Sequence, residues 1–564
     1  MTPLVARPSE WVHSLPSVNA AGAGQEAASQ QRRALRGWTA ALILLCLGAL
    51  SLEFKHIEST LPYPGHSDEG FISGPAHRTL VSGTLHPYTF SYPSLPKYLA
   101  AAGMAVGFLS SAAHLEIRET WRIGDVGFPY YDTPRVMQTA RQLFALLSVI
   151  ALAATGFSAW LAFREPAAIL LAPLILLMSP LFFFDSWGYL NVDIVGTCFV
   201  MLTIAACLLG TRRPSIGQSA ILPGVCAGLA TGSKYTLALV ILPVLLAIAL
   251  HFTGPRRVWT CVAALATMAV AFVTAVPYSL IDIPGFLNGV ASEVFHYASG
   301  HRGANGEPGW PQLLFYLRHL ALELGFGGAI LAVLGVCVFA AADRRRAAVL
   351  LIFPVGLLWL LASQVVHFER NALSLQPLAA MFAAFGLIAL HRWAVRLAAN
   401  RGWVRQPVRG RVRMLAFLIL AMATVPMWRL ADHLRDRTDS RNLARAWIEA
   451  RLQPEWSIVV PKQLHFDVRP LRKAGRNVTV VDLQSARDMD GLGTLVAGVP
   501  SPAVIMVPRW GADLRLDGHE LAPTLNTLSQ HWRALRTFGT EAVLVNYSLP
   551  NPRGNPAFSI AVLK

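Results

Sequence analysis

The chain is read as an α-helical polytopic membrane protein that ends in a small soluble α/β domain. Three observations lead there. Apolar runs recur from residue 38 to residue 430, many of them reaching the roughly 17–25 residues that span a bilayer. Charge is sparse: 14% of the 564 residues are Asp, Glu, Lys or Arg and 54% are hydrophobic, with a mean hydropathy of +0.46; a soluble domain carries about 25% charge. After Leu430 the character changes, and short β-like runs replace the long apolar ones. A membrane β-barrel would instead show short alternating segments throughout.

Each element follows in order. Residues 1–35, rich in Ala, Gln, Ser and Pro without apolar periodicity, read as a disordered cytoplasmic tail. "RRALRG" before "WTAALILLCLGAL" resembles the charged and apolar regions of a signal peptide, but the long tail ahead of it and the many later spans favour an uncleaved first helix. Spans are expected at 38–53, 136–163, 166–184, 191–210, 218–232, 236–253, 258–278, 313–340, 347–363, 372–391 and 414–430, about eleven in all, within a membrane domain over 36–430. Arginines set their orientation. Arg32, Arg33 and Arg36, then Arg164, Arg212 and Arg213, Arg256 and Arg257, Arg344 to Arg346, and the set from Arg392 to Arg413 occupy alternate interruptions, which the positive-inside rule makes cytoplasmic. The N-terminus is then inside and the C-terminus outside. The remaining interruptions face outward: a large first loop 54–135, then 184–190, 233–235, 279–312 and 364–371.

The apolar run 97–115 is kept out of this count. It is short and rich in Ala, Gly and Ser, and a full span there would put every arginine cluster outside. It is expected to lie in, or dip into, the outer interface. The net charge of +16 then anchors the chain to anionic inner-leaflet lipid and is no nucleic-acid footprint. The six cysteines all sit in apolar runs as small core residues, with neither metal spacing nor a disulfide framework. Within the soluble domain, 431–564, residues 439–452 read as a helix capped by Asp439 or Ser440. Strand-like runs follow at 457–460, 477–483, 503–508, 542–549 and 558–563.

The outward interruptions hold the unusual chemistry. The first carries "YPGHSDEGF", with Asp68 and Glu69 adjacent, and later Lys97; the next carries Asp185 and Asp193. Lys234 stands between two apolar runs with no loop around it. Residues 279–312 add His296, His301 and Arg302, and 364–371 adds Arg370. Ionisable groups at helix ends beside hydrocarbon are costly and tend to mark a task. The carboxylates can supply a general base, and Lys97, Lys234, Arg302 and Arg370 can cradle a phosphate through charge-assisted hydrogen bonds. The ligand that suits such a face is half lipid and half polar: a polyprenyl-phosphate sugar. The histidines lack a tight metal spacing, and no metal or other cofactor is expected. Two other classes share parts of this pattern: a secondary transporter or lipid flippase, and a polysaccharide polymerase or ligase. The first predicts inverted repeats and polar breaks at the bilayer midplane; the second predicts arginine-rich loops without an early acidic pair.

An order of motifs along the chain resembles a known family. The acidic pair Asp68-Glu69 follows the first helix, and the Pro93–Lys97 element comes about 30 residues later. Asp193 opens the fourth expected span, and Gly228 to Tyr235 reads G-x-x-x-G-x-K-Y. A His/Arg-bearing outer loop and an outer C-terminal domain complete the series. Together, over about residues 36–440, they resemble the lipid-linked-sugar transferases of the glycosyltransferase C superfamily. Within it they are most similar to the protein O-mannosyltransferases (glycosyltransferase family 39) and to bacterial relatives that modify lipopolysaccharide with aminoarabinose or galacturonic acid. The resemblance implies membrane-parallel helices in the first outer loop. It implies Asp68 as catalytic base, Glu69 as its companion, and Asp193 or Asp185 as a second acid near the acceptor. Lys97, helped by Lys234, Arg302 and Arg370, would bind the donor phosphate. Inversion without a metal is implied, with a protein, lipid or glycan hydroxyl as acceptor at the outer face of the cytoplasmic membrane. There are departures: Gly70-Phe71-Ile72 stands where relatives often have Arg-Tyr, Pro96 precedes the lysine where aminoarabinose transferases often have Glu, and 279–312 is too short for the domain inserted in eukaryotic mannosyltransferases.

Overall fold

In a computed structural model, the described residues are 21–63, 65–113, 134–212, 214–301, 304–400, 439–482, 485, 489–508, 534–538 and 558–563. The α-helices begin with α1 (Ala21–Thr60), α2 (Gly70–Ser82), α3 (Leu95–Ala113), α4 (Pro134–Phe163), α5 (Ala168–Leu177) and α6 (Pro180–Trp187). Then come α7 (Val192–Arg212), α8 (Leu222–Ser233), α9 (Ile241–His251), α10 (Gly254–Ala275), α11 (Tyr278–Ile281) and α12 (Ile283–Ser299). The last long helices are α13 (Trp310–Ala342), α14 (Arg344–Ala362) and α15 (Gln376–Asn400). Contacts divide the chain into two units: residues 1–55, 75–103 and 140–435 in one, and 56–74, 104–139 and 436–564 in the other.

The first unit is a helical bundle. Among the described residues seven helices are long and apolar enough to cross a membrane, or eight if the pair α5–α6, bent by 80°, counts as one. The difference from the expected eleven has identifiable sources. The runs 218–232 and 236–253 form two helices too short for that count, α8 with 12 residues and α9 with 11, which meet at the expected interruption: Lys234 takes an extended backbone (φ −152°, ψ 124°) and a 3₁₀ turn, Tyr235–Val240, follows it. The run 166–184 breaks at Ser179-Pro180. Ser179 caps α6 by accepting from the Phe182 N–H at 3.3 Å, and Pro180 stands in the first turn, where it lacks no bond. The expected span 414–430 lies outside the described residues. Residues 97–113 form most of α3, which is not among the seven.

Small residues set the packing. Gly224, Gly228 and Gly232 put three bare backbones on one face of α8, and added Cβ atoms there would strike Ala264, Ala271 and Ala275 of α10 or their immediate neighbours. α8 therefore lies directly against α10, as helices do in lipid when small residues recur every fourth position. This is the structural meaning of the G-x-x-x-G motif: it seats the helix whose end carries Lys234. Gly335 of α13 and Gly386 of α15 meet backbone to backbone in the same way.

The second unit holds the C-terminal sheet. Strands β1 (Ser457–Pro461), β2 (Val478–Val481), β3 (Ala503–Pro508), β4 (Ala534–Phe538) and β5 (Phe558–Leu563) are ordered β2-β1-β3-β5-β4. β1 is parallel to β2 and β3, while β5 is antiparallel to β3 and β4. Helix α16 (Ser440–Arg451) is capped by Asp439 and packs Ala444 and Ile448 against Ile458, Val460 and Val504 of the sheet. The expected strand 542–549 lies outside the described residues, and β4 has no counterpart in the sequence reading.

Candidate active site

Three breaks in the bundle bring polar groups together. Asp193 opens α7 just after Asn191, whose Oδ1 accepts from the Ile194 N–H at 2.8 Å. An acid in the first turn of a helix is favoured by the helix dipole. Lys234 ends α8, and the 3₁₀ turn Glu369–Leu375 ahead of α15 carries Arg370 and Asn371. The Lys234 ammonium donates to Asp193 Oδ1 at 2.6 Å and to Asn371 Oδ1 at 2.7 Å. Arg370 Nε lies 3.9 Å from the other oxygen of Asp193. Its guanidinium stands 5.0 Å from the Phe368 ring centre and donates to the Tyr92 hydroxyl at 3.4 Å. Asp193 is 5% exposed and Lys234 13%, so this ion pair is shielded from water and its electrostatics are strong.

Beside this cluster lies a buried set that sequence reasoning used only in part. Asp185 on α6 is within electrostatic reach of Asp193, Arg370 and Glu323. Its Oδ2 is buried without a hydrogen-bond partner among the described residues. Glu323 on α13 was missed. It accepts from the Leu181 N–H at 2.9 Å and from the Ser179 hydroxyl, which also lies 2.8 Å from Gln376 Oε1. The only sequence signal was its place, a lone acid inside a long apolar span, and Asn371 gave none.

Lys97 is buried in α3 and its ammonium is held within its own loop. It donates to the Thr89 carbonyl, to Thr89 Oγ1 at 3.0 Å and to the Pro87 carbonyl at 3.5 Å. Tyr98 and Tyr235 hold the same loop through the carbonyls of Leu85 and Phe90. Burial, with Arg78 nearby, pulls the Lys97 pKa down to about 7. The expected phosphate ligand is thus engaged with backbone oxygens in this conformation. His296 and His301 meet each other, Nε2 to Nδ1 at 3.0 Å, beside Phe368. Arg302 lies outside the described residues. Among those residues no three His, Cys, Asp or Glu side chains converge closely enough to hold a metal ion.

Asp68 and Glu69 belong to the second unit, on the 3₁₀ turn Ser67–Glu69. The two carboxylates are treated differently. Glu69 is fully buried and accepts from the Gly65 N–H at 2.9 Å, closing the turn on itself. Asp68 keeps 23% of its side chain exposed, and its N–H donates to His66 Nδ1 at 3.1 Å.

Comparison with known proteins bears on both units. Residues 135–281 match the family model for dolichyl-phosphate-mannose-protein mannosyltransferases. The crystal structure of ArnT from Cupriavidus metallidurans in the apo state superposes with a TM-score of 0.50 at 13% identity, covering 93% of this chain and 98% of that one. The same protein bound to undecaprenyl phosphate gives 0.48 at 15% identity over the same shares. An Archaeoglobus fulgidus oligosaccharyltransferase gives 0.45 at 13%, over 82% and 69%. No curated protein matches by sequence. The superposition on apo ArnT gives this chain the same membrane fold, with the small sheet at its C-terminus.

Two outcomes follow from this geometry. Lys234→Met leaves Asp193 buried with only the longer Arg370 contact at 3.9 Å and should lower the stability of the purified protein by about 3 kcal/mol. The double variant with Asp193→Asn should recover most of that loss, as read by thermal unfolding in detergent. Lys97 gives a pH signature. Between pH 7 and about 10 the unfolded chain holds a proton on this lysine that the folded chain releases, so stability rises with pH across that window. Unfolding midpoints measured from pH 7 to 10 should show this rise, and Lys97→Met should flatten it.

Proposed function

We propose that the chain is an integral membrane glycosyltransferase that moves a sugar from a polyprenyl phosphate to an acceptor hydroxyl at the outer face of the cytoplasmic membrane. The observation that carries this reading is the Asp193–Lys234–Arg370–Asn371 cluster. It lies in a bundle of glycosyltransferase C type, and the matched family segment contains both Asp193 and Lys234. Two cations share one shielded carboxylate, which biases the cluster toward an arriving anion. A phosphate joined to a long apolar tail is the anion that can reach it from within lipid. The alternating arginines support the outward orientation of the breaks.

The chemistry is a single displacement. The acceptor hydroxyl attacks the anomeric carbon and its proton passes to the Asp68 carboxylate. The bond from that carbon to the phosphate oxygen breaks on the opposite face, and its electron pair leaves on the phosphate. The anomeric configuration inverts, and no covalent sugar–enzyme bond forms. Lys234 and Arg370 stabilise the departing charge, and this accelerates the step to the extent that their contacts strengthen in the transition state. Asp68 is the more exposed of the acidic pair, which suits a proton acceptor; Glu69 shapes the turn. Lys97 keeps the Pro87–Thr89 loop in place. Asp185, next to Asp193, is the second acid of the site.

Asp68→Asn should reach the membrane at wild-type level and lose about 10²–10⁴-fold in turnover. The assay is release of polyprenyl phosphate from lipid-linked sugars extracted from the producing cell. Near-normal release by that variant would exclude Asp68 as the base.

A further inference from the structure

The segment that precedes Asp68 is gripped by the C-terminal α/β layer. Tyr63 is fully buried, and the Arg441 guanidinium stacks on its ring at 3.8 Å from the centre. Arg441 is itself fully buried and is fixed by Asp439, the cap of α16, through Nε to Oδ1 at 2.9 Å and Nη2 to Oδ2 at 2.7 Å. Its Nη1 donates to the Leu464 carbonyl at 3.3 Å, just past β1. Two more bonds join the same partners. The Asp467 N–H donates to the Tyr63 hydroxyl at 3.3 Å, and Asn442 Nδ2 donates to the Leu61 carbonyl at 2.8 Å. All of these groups lie in one unit.

A buried Arg–Asp pair is poor value as a stabiliser, since desolvation offsets most of its attraction. It does fix direction: a planar guanidinium gripped along one edge by a carboxylate keeps one orientation and turns a face to a set place. Here that place is Tyr63. Five residues on stands Asp68, and the interval is closed by the Gly65–Glu69 bond. A chain of contacts thus runs from the cap of α16 through Arg441 to Tyr63, close in sequence to the acidic turn.

We propose that Arg441 and Tyr63 are positioning residues through which the C-terminal domain sets the placement of Asp68. This rests on the reading of Asp68 as base given above. The domain is then part of the catalytic apparatus and no mere cover.

The test uses the full chain in lipid nanodiscs with two readouts: amide exchange over residues 61–70, and release of polyprenyl phosphate from extracted lipid-linked sugars. Tyr63→Leu should speed exchange at Gly65 and Asp68 about tenfold, the loss expected from a desolvated cation–π contact. It should lower kcat about ten- to a hundredfold while the donor KM stays within about twofold, because misplacement of the base acts on the chemical step. Tyr63→Phe keeps the ring and should restore both. Should Tyr63→Leu fail to accumulate, Asn442→Ala decides, with exchange about threefold faster and kcat reduced several-fold. Wild-type exchange and kcat in the folded variants would overturn the proposal, as would a fall in kcat that Tyr63→Phe shares in full. Asp68→Asn separates the two levels. If it retains turnover, the reading of Asp68 fails whatever the exchange data say. If it abolishes turnover while Tyr63→Leu changes nothing, the positioning claim alone fails.

Discussion

The arrangement depends on a buried ion pair placed where helices stop. A lysine inside an apolar span is among the costlier groups a membrane protein can carry, and it persists only with a partner. Lys234 has two, Asp193 and Asn371, and each comes from a different break: the first turn of α7 and the 3₁₀ turn ahead of α15. The breaks are what make the pair possible. An unbroken helix would aim each side chain along its own cylinder. An extended residue at 234 and a tight turn at 369–375 instead aim them at one point. The glycine stripe of α8 holds that end of the helix in register against α10, so backbone packing and site electrostatics are set by the same eight-residue element.

A second consequence concerns the division of labour among carboxylates. Four acids stood out, and their surroundings separate them. Asp193 neutralises a cation, Glu69 ties a turn, Asp185 is buried beside Asp193 with an oxygen unpartnered among the described residues, and Asp68 alone keeps appreciable contact with solvent. Proton transfer from an incoming hydroxyl suits the last. Glu323 adds a fifth, tying α13 to the start of α6 through Ser179 and the Leu181 amide. It lends order to the bend that places Asp185.

Much of this was legible in the sequence, for reasons that can be named. Apolar run length and arginine alternation gave the helical membrane class, because bilayer thickness and leaflet charge act directly on composition. Lys234 was conspicuous as the one charged residue in the chain between Arg213 and Arg256, and its partner Asp193 was a candidate by its position at a helix start. What was not legible depended on three dimensions. The interruption at 233–235 was legible, but the 3₁₀ turn Tyr235–Val240 that follows it was not, because hydropathy averages over a single turn. For Lys97 the charge was legible, while the Pro87 and Thr89 oxygens that surround its ammonium come from the folded loop. Asn371 and Tyr63 carried no signal at all, since an uncharged amide and an aromatic ring are common at helix ends. Arg441 was hidden for the opposite reason: arginines crowd that part of the chain, and only the fold singles out the one stacked on Tyr63.

The proposed role of the cations around Asp193 is to receive the phosphate of a lipid-linked donor. Its most direct measurement is the affinity of the purified chain in nanodiscs for undecaprenyl phosphate, compared with that of an Arg370→Gln variant of unchanged melting temperature. Loss of a charge-assisted contact predicts binding weaker by about tenfold or more. Equal affinity in the two proteins would contradict it.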